Sequence, residues 1–211
     1  DRMKNYIGIL GSCATGKSTR LNMFVEHLDT VAKIPYENHD YTFVKKDKMI
    51  TIPNAGRAYA NGVYVVGNKT KAGNWVGADY TFGKLGDKLS IYDFLESVTE
   101  THETFIVEGY FAVGGGFLRP DSLSPMFDSV SQYYFLYDTL SQYVERTEGR
   151  TGVTWEERGK DAEKSAGWKS NQSFTSGMKK AIAGCRPDDK IVKVDYTKNK
   201  YFFVNEFKDF V

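Results

Sequence analysis

The sequence predicts a three-layer α/β/α fold, in which helices cover both faces of a mainly parallel sheet that carries a small β-hairpin insertion. Three observations predict it. Apolar runs of the kind found in strands buried on both sides recur at 6–10, 104–107, 133–137 and 191–194. Segments of helical spacing alternate with them. The 211 residues are 41% hydrophobic and 26% charged, enough for one domain with a sizeable core, so 1–211 reads as a single unit.

Taken in order, Tyr6-Ile7-Gly8-Ile9-Leu10 is the first strand and residues 11–16 are a turn. Residues 17–28 then form a helix whose Leu21, Phe24, Val25 and Leu28 share one face. Val31 to Pro35 reads as the second core strand. Residues 41–44 and 49–52 flank the charged turn 45–48 as a hairpin, followed by Val63-Tyr64-Val65-Val66. This cluster is local and antiparallel, hence an insertion, and the whole stretch 41–86 is expected on the substrate side. Leu89 to Thr101 is an amphipathic helix feeding the strand at 104. A short helix is expected over 124–131, then a strand to Tyr137, a helix after Asp138 and a long polar helical stretch over 155–183. Ile191 to Val194 is the last strand.

Composition excludes several classes. No apolar run reaches the length of a membrane span, and the opening residues lack the pattern of a signal peptide. Two cysteines, Cys13 and Cys185, form no disulfide framework, which fits a reducing cytoplasm. The net charge is +1, but it is uneven: −3 over 1–145, +5 over 146–200 and −1 over 201–211. The basic stretch suits either a solvated helix surface or one that meets phosphates. The 14 Tyr, 14 Phe and 3 Trp suit either an aromatic core or a pocket for a flat ligand.

Gly11-Ser12-Cys13-Ala14-Thr15-Gly16-Lys17-Ser18, with Thr19 after it, fits G-x-x-x-x-G-K-[ST] and lies between a buried strand and an amphipathic helix. Glycines there let backbone N–H groups surround a phosphate, and the helix N-terminus adds positive potential. Lys17 is expected on the β- and γ-phosphates and the Ser18 hydroxyl on Mg²⁺. The motif predicts a nucleoside-triphosphate site and places the fold among the P-loop NTPases. Cys13 reads as a small residue filling a small space, with a reactive thiol at the helix start as the alternative.

An outer carboxylate for the metal is expected at the end of a neighbouring strand. Asp138 reads better as a helix N-cap and Asp195 lies on an outer strand. Glu108 is therefore chosen for the metal shell or for polarising the nucleophile. Arg146 and Arg150, four apart around Gly149 in 139–160, have the makeup of a lid that neutralises a transferring phosphoryl group; Arg158 and Lys160 extend it. No Asn/Thr-Lys-x-Asp occurs, which disfavours a GTPase switch. On the acceptor side, Gly77-Ala78-Asp79 sets a carboxylate beside Trp75, Tyr80 and Phe82. Asp79 suits a proton acceptor, and the rings suit stacking on a base.

These pieces, with Val-Glu-Gly-Tyr at 107–110 and the arginine pair, resemble the phage P-loop kinases that act on 5-hydroxymethyluracil in DNA. The resemblance implies an ATP donor, Mg²⁺ and a base flipped from duplex DNA as acceptor. It also implies Tyr110 among the substrate contacts, and the basic residues after 145 with Gly114-Gly115-Gly116 against the DNA backbone. The expected compartment is then the cytoplasm of an infected host. Near-neutral charge leaves other readings open: a deoxynucleoside monophosphate kinase, a nucleoside kinase, a nucleotide switch, or a DNA-binding module whose loop is only structural.

Overall fold

Asn5–Gly11 (β1) puts Tyr6, Gly8 and Leu10 on one face and Ile7 and Ile9 on the other, and both faces are buried. A strand apolar on both sides is stable only at the centre of a covered sheet, and β1 lies there. The computed structural model describes residues 2–78, 88–109 and 119–210, the side chains of 88–90 excepted. The other strands are β2 (Tyr36–Lys45), β3 (Lys48–Tyr59), β4 (Val63–Val66), β7 (Thr104–Glu108), β8 (Ser129–Phe135) and β9 (Lys190–Val194), in the order β2-β3-β4-β7-β1-β8-β9. The five strands from β4 to β9 are mutually parallel, and β2 and β3 join one edge antiparallel. A separate two-stranded ladder pairs β5 (Asn68–Lys69) with β6 (Trp75–Val76). The result is a mixed α/β fold around a mostly parallel sheet.

The helices are α1 (Lys17–Glu26), α2 (Lys88–Thr99), α3 (Pro120–Leu123), α4 (Leu140–Thr151), α5 (Ala166–Ala183) and α6 (Phe202–Glu206). Leu21, Phe24 and Val25 of α1 pack with Phe203 of α6 and with Phe207 against Ile7, Ile9, Ile106 and Phe135. On the opposite face Ile91, Phe94, Leu95 and Val98 of α2 pack against Tyr6, Tyr64, Phe105 and Val107. Phe174 of α5 covers Leu10, Tyr134 and Leu136. Most of the aromatic side chains are therefore core. No helix among the described residues is long and apolar enough to cross a membrane.

Four expectations need correction. Val31 to Pro35 is not a strand: α1 runs on through a π turn over His27–Val31, and Val31 is left 68% exposed. The place beside β7 belongs to Val63–Val66, all four of which are buried. The helix expected over 124–131 is the single turn Pro120–Leu123, started by a proline whose missing N–H costs nothing in a first turn. The chain is already strand from Ser129, four residues earlier than the apolar run suggests. Thr139, not Asp138, caps α4 by accepting from the Gln142 N–H, and Asp138 pairs instead with Lys193. The polar stretch over 155–183 is broken: turns follow Trp155, and α5 starts at Ala166 behind the N-cap Ser165. The expected hairpin insertion joins the main sheet as its antiparallel edge.

One ion pair fastens that edge to α1. Arg57 on β3 reaches Asp29 at 2.6 Å, the Tyr59 hydroxyl donates to the same carboxylate at 2.8 Å, and the Arg57 cation lies 3.9 Å from the Tyr36 ring centre. Both charges are largely buried, so removing one strands the other. Asp29→Ala should lower unfolding free energy by about 3 kcal/mol in urea titrations. Arg2→Ala, which breaks the exposed pair with Glu103, should cost under about 1 kcal/mol.

Candidate active site

The loop between β1 and α1 is built by close approach. At Gly11 (φ +129°) a Cβ would stand 2.1 Å from the Phe135 carbonyl oxygen, which accepts the Ser12 N–H at 2.8 Å. Only glycine lets β1 turn off the sheet here. Ala14 (φ +59°) and Gly16 (φ +81°) both take the left-handed conformation, an alternation that curls successive peptides into an anion-binding nest.

Side chains then seize the loop's carbonyls. Lys17 Nζ donates to the Gly11 oxygen at 2.9 Å and to the Ser12 oxygen at 2.5 Å. The Tyr137 hydroxyl donates to Cys13 O at 2.7 Å, and Arg146 Nε to Ala14 O at 2.9 Å. Arg20 donates to Thr15 O at 3.0 Å and to Gly16 O at 3.2 Å. Ser12 Oγ donates to Asn171 Oδ1, which also accepts the Tyr137 N–H at 2.9 Å. In a trans peptide the following N–H points opposite to its carbonyl. Holding the Cys13, Ala14 and Thr15 oxygens therefore turns the next N–H groups to the other side of the loop.

Arg20, Asn171 and Tyr137 were missed by sequence reasoning. Arg20 carried a signal, since it sits four residues before Phe24 on the buried face of α1. It is buried, its other nitrogen donates to Tyr196 O at 2.8 Å and to Lys198 O, and it ties the loop to the segment after β9. Burial, with Arg146 nearby, holds its pKa below the usual guanidinium value, and Asp195 partly opposes this. Burial likewise raises the Tyr137 hydroxyl well above the normal phenol range, keeping it a neutral donor.

Glu108 ends β7 next to β1, where the sequence placed it, 7% exposed and with Oε1 3.4 Å from Ser18 Oγ. A Cβ on Gly77 would lie 2.3 Å from its Oε2, so the chain approaches the carboxylate as only glycine allows. Two oxygen donors of this kind fit a hard divalent cation held mainly by phosphates and water. Among the described residues no group of three His, Cys, Asp or Glu forms a fuller metal cage.

Arg146 and Arg150 lie on one face of α4, a regular helix closed by Gly152 in the left-handed conformation. With Gln142, Glu145 and Gly149 they face residues 13–19, Tyr196 and Thr197 across one cavity of about 1000 Å³. Arg146 also stands 5.8 Å from the Tyr196 ring centre. Arg158 turns away, donating to Thr151 and Val153 and covering Trp155, so it serves the turn after α4. Cys13 is exposed and does not fill a core gap.

Trp75 is corrected. It is 2% exposed, packs in the α1 cluster and donates its indole N–H to Val66 O at 3.1 Å, so its ring supports the site from beneath and offers no face for stacking. Asp79, Tyr80, Phe82, Tyr110 and Gly114 to Gly116 lie outside the described residues. Ala78, the residue before Asp79, is fully buried just beyond the Gly77–Glu108 contact.

Residues 3–195 match the family described as 5-hmdU DNA kinase 2. A 5-hmdU DNA kinase 2 of Salmonella phage ViI is 28% identical over 184 residues, which cover 86% of this chain and 57% of that protein. The chain thus spans little more than half the length of this relative. With the β1–α1 loop, the carboxylate at the end of β7 and the arginine-bearing α4 all inside the matched span, the chain belongs to the 5-hmdU DNA kinase 2 family.

Proposed function

We propose that residues 1–211 form one P-loop kinase unit of three-layer α/β/α architecture. It moves the γ-phosphoryl group of ATP to the 5-hydroxymethyl group of 5-hydroxymethyluracil in DNA. The observation that carries the reading is the convergence of the phosphate loop, Lys17, the Ser18–Glu108 pair and the two α4 arginines on one edge of the sheet. The relative's name supplies the acceptor.

Each residue's work follows from its chemistry. Lys17, now bonded to two loop carbonyls, exchanges them for β- and γ-phosphate oxygens without leaving the loop. Arg146 is held at the rim by Ala14 O, and Arg150 lies one helical turn further on; both place positive charge where it grows on the moving phosphoryl group. Ser18 and Glu108 would hold Mg²⁺, whose chemistry there is to neutralise charge between the β- and γ-phosphates. Tyr196 and Thr197 flank the nucleoside end of the cavity. Asp79 accepts the proton of the hydroxymethyl group, with Tyr80 and Tyr110 beside the base, and α4 with the turns to residue 160 keeps water from the donor.

Offering labelled ATP and Mg²⁺ with hydroxymethyluracil DNA, free deoxynucleotides or water alone tests the acceptor. Label in the polymer is expected. Label in mononucleotide, or only free phosphate, would refute the reading.

Lys17→Ala should reduce transfer by at least about a hundredfold with the melting curve intact; turnover within twofold of normal would remove the central assignment. Glu108→Gln should raise the Mg²⁺ concentration needed for half-maximal rate. Arg146→Ala and Arg150→Ala should each slow transfer by about tenfold or more at saturating ATP. Asp79→Asn should depress turnover while ATP affinity, read by calorimetry, stays near normal.

A further inference from the structure

We propose that Arg20 is a positioning residue that joins the two ends of the donor cavity, so that a polyphosphate seated on the β1–α1 loop organises the segment that meets the nucleoside. This rests on the ATP-donor reading above and deepens it.

The geometry is that of a clip. Arg20 Nη1 donates to Thr15 O at 3.0 Å and to Gly16 O at 3.2 Å, and Nη2 donates to Tyr196 O at 2.8 Å and to Lys198 O. The second pair of carbonyls lies 176 and 178 residues further along the chain. Thr15 and Gly16 line the cavity, as do Tyr196 and Thr197, while Arg20 itself is only 5% exposed. A Cβ on Gly16 would stand 2.3 Å from Arg20 Nη1, so the loop's last glycine leaves the guanidinium its room.

The far segment is a braced turn. Asp195 Oδ1 accepts the Thr197 N–H at 3.0 Å and the Thr197 hydroxyl at 2.6 Å, and the Lys198 N–H donates to Asp195 O at 3.1 Å. Tyr196 and Thr197 therefore move with the carbonyls that Arg20 holds. Tyr137 and Arg146 also touch both segments, but each meets the far one through the Tyr196 ring, at 5.1 Å between ring centres and at 5.8 Å from the cation. Arg20 alone of the three holds both by the backbone.

Burial makes the clip cooperative. All four acceptors are neutral carbonyls, Nε is buried without a partner, and Arg146 adds like charge that Asp195 offsets only in part. A cation in such a place is tolerated while its hydrogen bonds are made. Moving either segment away strands part of it, so the two keep their places together or lose them together. Whatever fixes one segment favours the other, and such coupling is reciprocal: phosphates raise the affinity for nucleoside, and nucleoside raises that for phosphates. A lysine cannot substitute, because a single ammonium has no fork to reach two pairs of carbonyls.

The test takes the donor apart. Adenosine and Mg-pyrophosphate are titrated singly and together, by NMR and calorimetry. In the wild-type protein saturating pyrophosphate should tighten adenosine binding by at least about fivefold, and adenosine should tighten pyrophosphate binding by the same factor. In Arg20→Lys and Arg20→Gln that factor should fall below about twofold, whatever happens to the separate affinities. A role in fold stability alone would lower the melting temperature and leave the factor unchanged. Coupling kept in a folded variant, or absent from wild-type protein that binds Mg-ATP, would overturn the clip. Wild-type protein that binds no Mg-ATP would refute the ATP-donor reading, and the clip with it. Should both variants fail to fold, amide exchange in the wild-type protein decides. Saturating Mg-pyrophosphate should slow exchange over 195–198 by at least about fivefold, and unchanged exchange there would overturn the proposal.

Discussion

The site depends on how the carbonyl oxygens of a short loop are held. A phosphate-binding turn has to present backbone N–H groups, and a free backbone would relax so that its own oxygens shared the same space. Here Tyr137, Arg146 and Arg20 take the oxygens of Cys13, Ala14, Thr15 and Gly16, and Lys17 takes those of Gly11 and Ser12. The donors come from α1, α4 and the strand end after β8, so the loop's shape is a property of the assembled fold. Charged donors make the stronger bonds, and two of the outside donors are arginines. The arrangement also links the loop to its partners: Arg146 belongs at once to the loop and to the cavity wall, and Arg20 to the loop and to the Tyr196 segment.

The same logic explains why everything of chemical interest gathers at one edge. Parallel strands deliver their carboxyl ends together, so Gly11 and Glu108 arrive side by side because Ile9 and Glu108 are in register. Two glycines bring the intervening chain back to that edge. Gly67 passes so close to Val76 that a Cβ would lie 2.0 Å from its carbonyl, and Gly77 does the same at Glu108. Trp75 fills the space beneath and locks the returning chain to β4 through Val66. The ring read from sequence as a stacking surface for a base thus has a mechanical task, holding the chain that brings Gly77 to the carboxylate.

Legibility from sequence followed burial. β1, α1 and β7 lie in the covered part of the sheet, where apolar runs and helical spacing are unambiguous, and the motif fixed the loop between β1 and α1; β9 is an edge strand with Val194 alone buried, and there the run of β-branched residues was the signal. Val31 to Pro35 misled because three apolar residues near a helix end look the same whether they continue a helix or start a strand; only the rival run Val63–Val66, buried at all four positions, decides which lies beside β7. Asp138 and Thr139 are adjacent cap formers, and the choice rests on which side chain meets the Gln142 N–H. Arg20 was passed over because charge was read as solvent-facing, although its helical position is a core one. Asn171 leaves no trace in a polar helix, since its role needs Ser12 and Tyr137, 159 and 34 residues away in sequence.

Near-neutral net charge looks like an argument against a polyanionic acceptor, but the relevant quantity is local. Screening at physiological salt reaches about 8 Å, so acids on distant helices do little to the potential at a given edge. Here Lys17, Arg146 and Arg150 border one cavity. Asp29 and Asp189, by contrast, are consumed in pairs with Arg57 and Arg186 and leave almost no field behind. On the reading proposed above, this local cluster is where the phosphates of the donor meet positive charge. A modest number of such contacts also lets the proposed enzyme release a modified polymer, because each additional phosphate contact strengthens binding to every site along the chain equally.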